Sequence, residues 1–201
     1  MFQDNTRLFF LPPKMRAASF AYPVVKYFIV VSFSLLLAGC SRSNSGITFL
    51  SKPYKLGSFN KKDNAMWEYV TGGETVNNWT SLITLIDRPD AKTRADLDKL
   101  AQGVTNTYRS HGAKILMAKT MQDKAGVAYD YLVAAFEQPA EHRFELNFVK
   151  FAMGPKNAYI MVYGARVADG KGFLNQHSGE IGRALETAAV PDLSALPRKE
   201  F

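Results

Sequence analysis

A single cysteine and three histidines in 201 residues leave this chain with little soft-ligand chemistry. Cys40 has no second thiol to pair with, so no internal disulfide forms and the fold must rest on apolar burial. His111, His142 and His177 are scattered, with no two of them three or four residues apart, so the ligand spacing of a zinc site is absent. The G-x-S-x-G elbow, the G-x-G-x-x-G turn and the G-x-x-x-x-G-K-[ST] loop are all missing, and the glycines at Gly72-Gly73 and Gly170/Gly172 read as turns. Internal repeats and low-complexity runs are missing too. No uncharged apolar run reaches the ~20 residues that a membrane-spanning helix needs. The formal charge of +7 is a mild excess that speaks to solubility and loose attraction to anionic surfaces rather than to a nucleic-acid partner.

What is present begins near the amino end. Arg7, Lys14, Arg16 and Lys26 precede an uncharged stretch from Tyr27 to Ala38, and Ala38-Gly39 places small side chains just ahead of Cys40. A basic leader, a short apolar core and small residues before a cut form the secretory signal pattern. Leu37-Ala38-Gly39-Cys40 resembles the lipobox of bacterial lipoproteins. That resemblance implies a diacylglycerylated Cys40 sulfur, cleavage before it, and acylation of the new amino group. Residues 1–39 are then a signal peptide, Met15 gives a more compact start, and Cys40–Phe201 leaves 162 residues, one domain's worth. A soluble secreted protein would instead keep Cys40 as a stray thiol. One acyl chain anchors only marginally, whereas two or more hold firmly. Ser41, where lipoproteins kept on the inner membrane tend to carry Asp, implies the periplasmic face of the outer membrane. Losing Arg7, Lys14, Arg16, Lys26 and Asp4 lowers the formal charge from +7 to +4.

After Cys40 a polar tether is expected through residue 64, with Arg42, Lys52, Lys55, Lys61 and Lys62 near the membrane. Ala65–Thr71 and Ser81–Ile86 have the composition of short strands. Thr93 and Asp96 form a capping-box pair ahead of Leu97, Leu100, Ala101, Val104 and Tyr108, one apolar helical face that Gly112 ends. The period then changes to two. Ala113–Lys119, Val127–Phe136, Arg143–Phe151 and Asn157–Val167 are four strands joined by short turns, so they must run antiparallel as a meander. Phe173–Ala189 suits a second helix, and residues 191–201 a poorly ordered tail. The expected fold class is α+β, an antiparallel sheet of about six strands packed with two main helices, spanning 65–190 as a single domain. That element order resembles the PsbP-type fold, a likeness that transfers no site.

The candidate binding residues are aromatic and amide side chains. Trp79 lies with Asn77 and Asn78 in an unusual loop. Strand alternation puts Tyr129 and Tyr131 on one face, and Tyr159 and Tyr163 on one face of the last strand, an amphipathic surface of the kind that partners use, unless a helix or loop covers it. Carboxylates offer the remaining route to an enzyme: Glu137, Glu141 and Glu145 around one turn, Asp130 in a strand, with His142 nearby. No catalytic residue, metal or cofactor is assigned. The expected function is a lipid-anchored, non-catalytic binding or assembly domain with a membrane and an envelope protein as partners and no nucleic acid. An envelope hydrolase and a lipoprotein holding a small apolar ligand between sheet and helices are the alternatives.

Overall fold

Alternation of apolar and polar residues over short runs drives most of this chain into strands. The structure, a computed structural model, describes residues 46–61, 64–188 and 192–198. Cys40 and the stretch resembling a lipobox lie outside them. Eight strands form one antiparallel sheet: β1 (Gly46–Phe49), β2 (Lys52–Asn60), β3 (Met66–Thr71), β4 (Ser81–Arg88), β5 (Lys114–Gln122), β6 (Ala128–Gln138), β7 (Arg143–Met153) and β8 (Ala158–Val167). Helix α1 (Arg94–Ser110) joins β4 to β5, and α2 (Gly170–Thr187) follows β8. The fold is thus α+β with two helices, and the sheet is wider than the expected six strands. The extra pair, β1–β2, occupies the segment assigned to a tether.

The strand order is β1-β2-β3-β4-β8-β7-β6-β5. Two meanders therefore meet at a central seam, where Ser81 pairs with Ala165 and Arg88 with Ala158. Because β4 ends at the middle of the sheet and β5 forms its far edge, the connection crosses one face, and α1 is that crossing. Its start is fixed as the sequence suggests. Thr93 accepts from the Asp96 amide while the Asp96 carboxylate accepts from the Thr93 amide. Its end is fixed by Gly112 at φ +83°, which lets the Ala113 amide reach back to the Tyr108 carbonyl at 3.0 Å. Leu97, Leu100, Val104 and Tyr108 are buried against Leu132, Val149, Phe151, Ile160 and Val162, each contributing about 1.5–3 kcal/mol.

Helix α2 covers the opposite face. It starts at Gly170 rather than Phe173, because the Asp169 side chain accepts from the Gly172 amide at 2.9 Å and caps the helix. Ile181 and Leu185 are fully buried on the sheet, with Phe173, Leu174 and Ala184 beside them. The sheet coils around this helix strongly enough that Phe49 of β1 stacks 5.3 Å from Tyr163 of β8, although three strands separate theirs in the order. The carboxyl-terminal segment is docked as well. Leu193 and Leu196 pack on the same cluster, and the Trp67 indole donates to the Pro197 carbonyl at 2.7 Å. Among the described residues no helix is long and apolar enough to cross a membrane.

Candidate functional site

The tyrosine face is not a surface. Tyr129, Tyr131, Tyr159 and Tyr163 do share one side of the sheet, but α2 lies on that side, and all four are buried in a cluster with Phe49, Tyr54, Trp67 and Tyr69. The correction has a simple cause. One helix packs on each face, and α2 lies over the tyrosines. Burial pushes the Tyr131 and Tyr159 phenols up to about 12, and Tyr69, whose hydroxyl has no hydrogen-bond partner, to about 12 as well. Lys150 stands among them, 5 % exposed. Its ammonium donates to the carbonyls of Leu185 at 2.9 Å and Glu186 at 3.1 Å, the open end of α2, and lies 5.1 Å above the Tyr129 ring. Burial lowers its pKa, with the charges of Asp123 and Glu186 opposing. A cation at the negative end of a helix dipole is well placed there.

Trp79 is likewise a packing residue, 5 % exposed. Its loop is held by Glu74. One carboxylate oxygen accepts from the Thr80 amide at 2.9 Å and hydroxyl at 2.6 Å, and the other from the Thr71 hydroxyl at 2.6 Å. Burial raises the Glu74 pKa, but these hydrogen bonds outweigh it and hold the group below its ordinary value. The indole lies against Gly164, where an added Cβ would sit 3.1 Å from it, and the Arg166 guanidinium lies over its ring at 3.9 Å. Arg166 in turn donates to Glu145 at 3.3 Å, and Glu145 accepts from Gln138 at 3.3 Å and Asn147 at 3.4 Å. The loop and the carboxylate turn, widely separated in sequence, thus form one polar cluster. Asn77 and Asn78 stay on the exposed rim, outside it.

The carboxylates do not converge. Glu141 pairs with Arg143. Glu137 pairs with Phe144 in the ladder while Glu145 pairs with Phe136, one position on, so the two acids project from opposite faces. His142 is exposed, in a left-handed turn at φ +50°. Asp130 is buried on the α1 side, where Arg94 donates to it at 2.5 Å and Thr120 at 2.7 Å, leaving its second oxygen without a partner. Among the described residues no three His, Cys, Asp or Glu side chains group as metal ligands.

Two features could not be seen in the sequence. A groove of ≈ 380 Å³ lies between α1 and β5–β6, walled by Gln102, Asn106 and Arg109 on the helix and Lys119 and Thr120 on the strand, above Asp130 and Phe151. Beside it, β5 is exposed along most of its length, since nothing pairs with its outer edge among the described residues. Leu116, Met117 and Val127, on this strand and its hairpin, are 39 %, 40 % and 54 % exposed. A protein-family model matches residues 43–190, from just ahead of β1 to just beyond α2, and names no activity. No curated protein matches the chain significantly.

Proposed function

Since the chain belongs to the family whose model spans residues 43–190, we propose from its own residues that it is a lipid-anchored, non-catalytic binding or assembly domain of the cell envelope. What supports the anchor is the sequence Leu37-Ala38-Gly39-Cys40 behind a basic and then apolar leader. With β1 starting at Gly46, only a few residues separate the thioether from the fold, so the domain hangs close to the bilayer, in this reading on the periplasmic face of the outer membrane.

The observation that carries the non-catalytic part is the state of the acids. Glu145 is held by Arg166, Glu141 by Arg143 and Asp130 by Arg94. Each of these acids is engaged by a guanidinium, an arrangement that suits structure better than catalysis. For the hydrolase reading, the acids that do meet, Asp98 and Asp130 beside the groove, are both paired to Arg94. For the apolar-ligand reading, the α2 side of the sheet is filled by side chains, and the groove on the α1 side is walled largely by polar and charged ones.

Metabolic labelling with palmitate tests the anchor directly. The wild-type chain is expected to take up label and to sediment with membranes. The Cys40→Ser chain is expected to take up none and to appear in the soluble fraction after leader removal. An unlabelled wild-type chain, or an intact mass showing a free thiol, sinks the reading.

A further inference from the structure

We propose that β5 is a docking edge, to which an extended acidic segment of a partner envelope protein adds as a ninth strand. The inference rests on the binding role above and names the surface and chemistry that role would use. Strand β5 closes the sheet order, so one row of its backbone N–H and C=O groups has no ladder partner among the described residues. Such a row is a template for strand addition, in which main-chain bonds give affinity and alternate side chains give specificity. The apolar contacts are in the same place. Leu116, Met117 and Val127, the exposed large hydrophobics of the described residues, all lie on this strand or the turn that follows it.

Charge then selects the occupant. The strand Lys-Ile-Leu-Met-Ala-Lys-Thr-Met-Gln holds two lysines and no acid. No described carboxylate lies within ion-pair distance of Lys114 or Lys119. Of the acids nearby, Asp98 and Asp130 are both paired to Arg94, and Asp123 in the hairpin turn accepts from the Ala125 and Val127 amides. Arg109 and Lys119 on the walls of the adjoining groove add to the positive field. A second copy of this chain would bring the same basic edge against itself. Edge lysines guard a sheet against indiscriminate pairing, and the guard is lifted by a strand of opposite sign, which is how a repulsive element becomes a specificity element.

The test uses the full chain in detergent and two labelled nine-residue peptides, one alternating Glu with Val and one alternating Lys with Val. Anisotropy is expected to show binding of the acidic peptide only, weakening with added salt, while amide hydrogen exchange slows within Lys114–Gln122. Paired substitution of the exposed Lys114→Glu and Lys119→Glu, checked by circular dichroism to leave the fold intact, is expected to weaken the acidic peptide at least ten-fold and to admit the basic one. Equal binding of both peptides, or binding without protection of β5, overturns the proposal. So does a dimer in sedimentation with β5 already protected in the absence of peptide, which would assign the edge to a second copy. None of these readouts depends on acylation of Cys40, so failure here leaves the palmitate result standing, and the reverse.

Discussion

Lys150 is the most exacting residue in the interior. Its ammonium satisfies carbonyls that the end of α2 would otherwise leave open, and it does so inside an aromatic cluster where an unpaired charge would be costly. Truncation by Lys150→Ala is expected to lower stability by about 2–4 kcal/mol, combining a cavity with lost charge-assisted hydrogen bonds. Lys150→Met restores the bulk without the donors and should fall between wild type and Ala in chemical denaturation. A Met variant as stable as wild type would show that the hydrogen bonds contribute nothing net. The sequence placed Lys150 in a strand, but nothing in a period of two announces which helix end will lie above a given position. The tyrosines teach the same lesson. Their shared face was legible from alternation, and burial under a helix or loop stood open beside a binding role, because what covers a face is decided by where a later helix returns.

At the scale of elements, most of the order could be read. The cap of α1, its apolar stripe and the β5–β8 meander follow from spacing and turn residues. The β1–β2 hairpin escaped for a definite reason. Phe49 pairs with Lys52, leaving Leu50-Ser51 as a two-residue loop, and both residues have positive φ, +51° and +60°. Such loops favour Asn-Gly or Gly-Gly, so Leu-Ser gives no turn signal. The alternation of β2 is further broken at Gly57, where the register slips between Leu56 and Ser58. Two L-residues held in the left-handed region are a local strain. Ser51→Gly is therefore expected to stabilise the protein by about 0.5–1 kcal/mol, raising Tm by about 1–4 °C. A lower Tm would mean that the serine side chain contributes more than the strain costs. The docking of the tail was not legible either, since Pro197 accepts from Trp67, 130 residues earlier in the chain.

At the scale of the molecule, the candidate site was legible only in fragments. Trp79 and Glu145 each stood out, but their union through Arg166 exists only once β7 and β8 lie side by side. The exposed edge of β5 is a property of strand order, and strand order was the part that sequence left open. The aromatic interior also sets a response to alkali. Tyr69, Tyr131 and Tyr159 hold their protons up to about 12 in the folded state against 10.0 for an unperturbed phenol. Between those values the unfolded chain has released protons that the folded one retains, so rising pH favours unfolding. The tyrosine contribution to stability is expected to be level below pH 10 and to fall steeply from about 10 to 12, with tyrosinate absorbance and loss of near-ultraviolet dichroism rising together. Tyrosinate signal from these groups appearing near 10, ahead of unfolding, would contradict their burial.

The seam between β4 and β8 carries one more consequence. Ser81 waits for Ala165 and Arg88 for Ala158, partners that leave the ribosome 70 to 84 residues later. Until then the first meander ends in the bare, apolar flank of Ser-Leu-Ile-Thr-Leu-Ile, and α1 has only part of its bed. The two halves of the sheet are thus joined only when its last strand is in place.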